Sequence, residues 1–158
     1  MREQLLKIIE KNSRIDLKEL AVLLGVEEID VVNEMAAMEA DGTICGYHTL
    51  INWENTSIET VSALIEVRVT PQRGQGFDHI AERIYNYPEV NAVYLLSGAY
   101  DILITLEGKS LKEVSSFVSD KLSTLDSVLS TATYFILKKY KDHGTIMANN
   151  DERLKMTP

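Results

Sequence analysis

Ser97-Gly98-Ala99-Tyr100-Asp101 brings together residue types that can build a small-molecule site. Gly98 permits a positive φ and a close backbone approach. The Asp101 carboxylate can accept hydrogen bonds from an α-amino group, and backbone N–H groups around the turn can hold a carboxylate. The same residues also suit a plain tight hairpin turn whose aspartate caps its own backbone. Thr131 and Thr133 lie two apart, so both point to one face of a strand.

A second constellation lies between residues 27 and 41, where six acidic residues occur with no basic one. Val31, Met35 and Met38 recur at helical spacing and mark an inward face. Glu27, Glu28, Asp30, Asn33, Glu34, Ala36 and Ala37 then lie outward, and of these Asn33 has the chemistry to read an adenine edge. Glu27, Glu28 and Asp30 suit the first turn of a helix, where acids complement its dipole. Glu34 comes a turn later and lacks that explanation. Ile29, Val32 and Ala36 form an off-core apolar stripe. It is either a protein-contact surface or a packed Ile29 beneath a turn beside a lone exposed Val32.

Other reactive types are scattered. His48, His79 and His143 have no partners at metal-ligand spacing, so neither a metal nor a cofactor is expected. Gly74-Gln75-Gly76 lacks the third glycine of a dinucleotide fingerprint. No nucleophile elbow surrounds any serine, and an enzyme is not expected. Cys45 stands alone, which suits a cytoplasmic protein without disulfides.

These residues need a scaffold. The chain has 158 residues, 45% hydrophobic and 25% charged, a balance that excludes wholesale disorder. No apolar run approaches the roughly 20 residues of a membrane span, and the N-terminal pattern does not read as a signal peptide. The net charge is −8, which taken whole argues against a nucleic-acid partner. Resolved by segment, residues 1–54 hold five basic and eleven acidic groups, while residues 55–158 hold eleven and thirteen. The acidity therefore concentrates in the first third.

Apolar spacing predicts helices over about 2–12, from a cap at Asp16 to Gly25, and over 27–41 ending at Gly42. Thr43 to Trp53 reads as a strand or wing. Beyond a linker at 55–60, strands are expected at Val61–Val69, Val90–Leu96, Asp101–Leu106 and Val128–Tyr140. Helices are expected around Phe77–Ile84 and Leu111–Leu122. The order β-α-β-β-α-β predicts a ferredoxin-like sandwich over 61–141. Residues 142–158 read as a polar, frayed tail apart from Ile146 and Met147. The fold class is thus α+β, with a helix-turn-helix domain over 1–54.

The string LKELAVLLGVEEIDVVNEMAAMEADGTICGY, followed by SGAYD at 97–101 and STATYFILKKYK at 130–141, resembles the Lrp/AsnC family of transcription regulators over residues 2–141. The resemblance implies a winged helix-turn-helix for DNA and a βαββαβ ligand-sensing domain. It implies homodimers that pack sheet to sheet, larger rings that are commonly octamers, and an amino acid or related small-molecule effector. It places that effector in a subunit-interface pocket of Gly98, Tyr100, Asp101 and Thr133. Lys18, Asn33 and Arg14 are the candidate DNA-binding residues, and Arg2, Lys7 and Lys11 are further basic groups of the first helices. The acidic 27–41 helix lowers the expected DNA affinity. The alternative is a sensor or assembly subunit that has lost direct DNA contact and works through protein partners.

Overall fold

A computed structural model of the chain describes residues 1–71, 73–74 and 76–147. Two compact units emerge, one of residues 1–50 and one from Ile51 onward.

The first unit holds three helices, α1 (Arg2–Ile9), α2 (Leu17–Leu24) and α3 (Glu28–Ala40). Asp16 caps α2 by accepting the Lys18 N–H at 2.9 Å, and Gly25 ends it at φ +67, a left-handed position that disfavours a Cβ. Leu5, Leu20, Val31 and Met38 are the deepest residues of a core shared by all three helices. The helices are too short to persist alone, so this burial supplies most of their stability. After α3 the expected strand does not form. Residues 45–52 have no regular secondary structure and no ladder partner. Their β-branched and aromatic pattern is local, and a strand requires a neighbour.

The second unit is a four-stranded antiparallel sheet, ordered β2-β3-β1-β4, with β1 (Val61–Val69), β2 (Val90–Leu95), β3 (Ile102–Gly108) and β4 (Val128–Phe135). Helices α4 (Asp78–Tyr85) and α5 (Leu111–Phe117) supply Ile80, Ile84, Val114 and Phe117 to a core with Ala63, Ile65, Val67, Ile104 and Leu106. Alternation along β1 sends 63, 65, 67 and 69 into this core and leaves Leu64, Glu66 and Arg68 on the other face. A π-helical turn, Val118–Leu122, follows α5 and brings Leu122 into the core.

Several boundaries differ from expectation: α1 ends at Ile9 rather than near residue 12, and the first unit ends at residue 50 rather than 54. β4 stops at Phe135 rather than Tyr140, because its partner β1 begins at Val61; one further bond, Ile136 N–H to Ser62 O at 2.9 Å, closes the ladder. The segment expected to be a frayed tail from 142 instead begins with a small hairpin, β5 (Lys141–Asp142) against β6 (Thr145–Ile146). His143 at φ 44 and Gly144 at φ 77 make its turn, which the polar composition concealed. The rest of that tail, 148–158, lies outside the described residues. A 3-10 turn, Trp53–Asn55, leads into the expected linker at 55–60, and the Asn52 amide donates to Met147 O at 3.1 Å.

Candidate functional site

The turn between β2 and β3 is anchored to β1. β3 stops pairing with β1 at Val67–Ile102, and Asp101 carries the contact one step further. Its N–H donates to Val67 O at 3.1 Å, and its Oδ2 accepts the Val69 N–H at 2.9 Å. Its own carbonyl accepts the Leu96 N–H at 2.8 Å and closes the turn. The aspartate therefore caps the backbone of a neighbouring strand, not its own. Arg68 reaches the same turn from β1. Its Nη2 donates to Ala99 O at 2.9 Å, and its guanidinium carbon lies 5.2 Å from the Tyr100 ring centroid, a cation–π distance.

Gly98 differs from expectation. Its φ is not in the left-handed region, and an added Cβ would meet nothing within 4 Å. The bend from Ser97 to Asp101 is wide enough that no residue in it needs positive φ. Thr133 is also placed apart. It pairs in register with Ile65, one of the core-facing residues, so it lies on the helix side of the sheet with Thr131. Glu66, Arg68 and Tyr134 take the opposite face, where the Tyr134 hydroxyl donates to Glu66 Oε2 at 3.2 Å. That bond, and then the charge of Glu66, hold the Tyr134 phenol above its usual range. One chain thus assembles Gly98, Tyr100 and Asp101 with Arg68, and does not bring Thr133 to them.

In the first unit, buried Val31 and Met38 fix the rotation of α3. Asn33, Ala36 and Ala37 are exposed on the far side. Ile29 is 60% exposed, so it does not pack beneath the turn. Val32 is exposed beside it.

Glu34, unexplained by the helix dipole, has a structural partner. Arg2 Nε donates to Glu34 Oε1 at 2.5 Å and Arg2 Nη1 to Asp41 Oδ2 at 2.9 Å. The Thr43 hydroxyl and amide, and then Arg2, hold the Asp41 carboxyl below the usual carboxylate range. Tyr47 donates to Glu39 at 2.7 Å. Three of the six acids are thus engaged on the flanks of α3, and Glu28 and Asp30 sit in its first turn, where the dipole favours them. Lys18 and Arg14 are exposed near the start of α2. Their backbone N–H groups donate to Asp16 and Asn12, which leaves the side chains to solvent.

Sequence reasoning missed Arg68 and the role of Arg2. A charge flanked by valines in a strand was the available signal for Arg68. Its turn partner lies 31 residues away, beyond any local pattern. Among the described residues, no group of three or more His, Cys, Asp or Glu converges as a metal site, and no helix is long and apolar enough to cross a membrane.

Comparison with known proteins follows the same division. Residues 62–146 match the Lrp/AsnC ligand binding domain. Across 158 residues the chain is 45% identical to the uncharacterized HTH-type transcriptional regulator YugG of Bacillus subtilis, covering 98% of this chain and 95% of that protein. The fold superposes on a transcriptional regulator from Neisseria meningitidis solved as a complex with L-Met, with TM-score 0.70, 22% identity and coverage of 89% and 90% of the two chains. It also superposes on E. coli AsnC, with TM-score 0.67, 20% identity and coverage of 93% and 96%.

Proposed function

The chain belongs to the Lrp/AsnC family and is a ligand-responsive transcription regulator of that type, and from this premise we propose how it works. It binds duplex DNA through α3 and senses an amino acid or a related small molecule at the β2–β3 turn. The solved relative that holds L-Met makes an amino acid the first class to test. The single observation that carries the effector reading is the anchored turn. Asp101 and Arg68 tie it to β1 from both sides, so its backbone is preorganised before any ligand arrives. Asp101 Oδ2 is engaged by Val69, and the rest of the carboxylate faces an α-amino group. Arg68 and turn N–H groups face the carboxylate.

A second copy of the chain completes the site. Tyr94 and Tyr134 are exposed and Leu64 and Leu103 half-buried on the sheet face away from the helices, an apolar surface suited to sheet-to-sheet dimerisation. Rings such as octamers would then multiply weak DNA contacts through effective concentration. Thr133 lies on the helix side of the sheet, off this face, and the proposed effector site does without it. We read the protein as a cytoplasmic binding protein and not as an enzyme.

Isothermal titration against the twenty amino acids, followed by mobility shifts with and without a binder, tests this directly. Heat from at least one amino acid and a changed DNA affinity are expected; silence from all twenty refutes an amino-acid effector and favours a plain structural turn.

A second reading is a sensor that no longer touches DNA and works through protein partners. The acidic first turn of α3, where Glu27 makes no side-chain cap bond, and exposed Ile29 and Val32 favour it. Tight binding that falls steeply with salt would exclude it.

A further inference from the structure

The exposed face of α3 is unusual for a helix that meets DNA, because it carries no cation. With Val31 and Met38 turned inward, the residues opposite them at 100° per residue are Ile29, Asn33, Ala36, Ala37 and Ala40. All five are exposed. Guanine is read most often by Arg or Lys forked onto O6 and N7, and α3 has neither. An adenine edge is read by Asn, and a thymine 5-methyl by apolar side chains. Those are the two chemistries present.

We propose that α3 reads A·T base pairs by their methyl groups and adenine edges, with Asn33 pairing to adenine N6 and N7 and with Ile29 and Ala36 packing on thymine methyls. The inference rests on the reading that α3 is the DNA-contacting helix. The alanines support it in a second way. Three small residues on one face let the helix axis approach the floor of the major groove closely. Arg2 pairs with both Glu34 and Asp41, so its one positive charge offsets part of the negative charge beside this face. A protein partner fits the face less well. Asn33 lies at its centre and would be buried without a partner in an apolar contact, and the alanines offer little area to bury.

The test is selection of duplex sites by the purified full chain, followed by titration of one selected duplex with thymine replaced by uracil. Uracil pairs identically and lacks only the methyl. The selected sites are expected to hold A·T pairs at the positions α3 protects. Uracil substitution there is expected to weaken binding about fourfold for each methyl buried. Ile29→Ala should bind more weakly and lose that sensitivity, and Asn33→Ala should lose the preference for adenine. Both residues are exposed, so circular dichroism should show folded variants.

Three results overturn the proposal. One is invariant G·C at the protected positions. Another is equal affinity for thymine and uracil duplexes. The third is an Ile29→Ala protein whose oligomer size changes while its DNA preference does not, which would mark a protein interface. Failure to select or bind any duplex refutes the underlying DNA reading instead, and takes this inference with it.

Discussion

Gly98→Ala separates the architecture of the β2–β3 turn from its use. A glycine held at positive φ destabilises when replaced by alanine, but Gly98 has ordinary φ and no atom within 4 Å of the added Cβ. Folding therefore meets no clash. The substitution restricts the unfolded chain and should stabilise the protein by about 0.4–1 kcal/mol. For a protein of this size that raises Tm by roughly 1–4 °C. Gly108→Ala is the internal control. Its Cβ would come 3.1 Å from Val114 Cγ2, inside a core where Val114 is fully buried, and that variant should melt lower. The effector side has the opposite sign. If a ligand lies against the turn backbone, the new methyl stands in its place. Overpacking of that kind costs on the order of 1–3 kcal/mol, or roughly 5- to 150-fold in Kd. Differential scanning calorimetry and isothermal titration on the same preparation read both numbers. A lower Tm for Gly98→Ala would refute the turn geometry. An unchanged Kd would refute the placement of the effector against it.

Asp101 gives a chemical version of the same separation. Asp101→Asn keeps an oxygen for the Val69 N–H and should fold normally while binding an α-amino group poorly; Asp101→Ala orphans that half-buried N–H and should lose about 1–3 kcal/mol in urea unfolding. Arg68→Gln should weaken effector binding more for the free amino acid than for its amide, measured by titration of both, and an equal loss for the two would assign Arg68 to turn geometry alone. Arg2→Ala frees Glu34 and Asp41 on α3 and should weaken DNA binding most at low salt, as seen in mobility shifts across a salt series. The Glu89 carboxyl is held below its usual value chiefly by the hydrogen bond from Lys121. A depressed carboxylate contributes stability that is present above the unfolded pKa and lost as pH falls through the folded one. Glu89→Gln should therefore flatten the acid limb of a Tm-against-pH curve below about pH 4.5 and leave its neutral-pH shape unchanged.

Local patterns in the sequence foretold the elements that rest on local physics. The helical recurrence of Leu17, Leu20 and Leu24, the Asp16 cap and the Gly25 stop concern near neighbours, and α2 follows them. Alternation through Val61–Val69 is equally local. What escaped depends on partners distant along the chain. Strand β4 ends where β1 runs out. Thr133 faces away from Tyr100 because Ile65 opposite it faces the core. Arg2 lies 32 residues from Glu34. The acidic α3 looked hostile to DNA as a string of letters, and only the fold shows that the acids divide between flanks and first turn while the outermost face is small and nearly neutral. Gly98 is the reverse case: its residue type suggested conformational necessity, and the backbone does without it.

The π-helical turn after α5 bears on which changes the fold tolerates. In an uninterrupted α-helix, Val114 and Phe117 would be followed on their buried side by Lys121. The wider turn, closed by the Ser123 N–H to Val118 O bond at 2.8 Å, inserts one residue into the count. Leu122 takes the buried place, and Lys121 swings out to pair with Glu89 and lie 5.2 Å from the Tyr87 ring centroid. Loss of Ser119 would return the segment to regular winding with a leucine still facing inward. Deleting Ser119 should therefore cost the fold less than exchanging Leu122 for a charge.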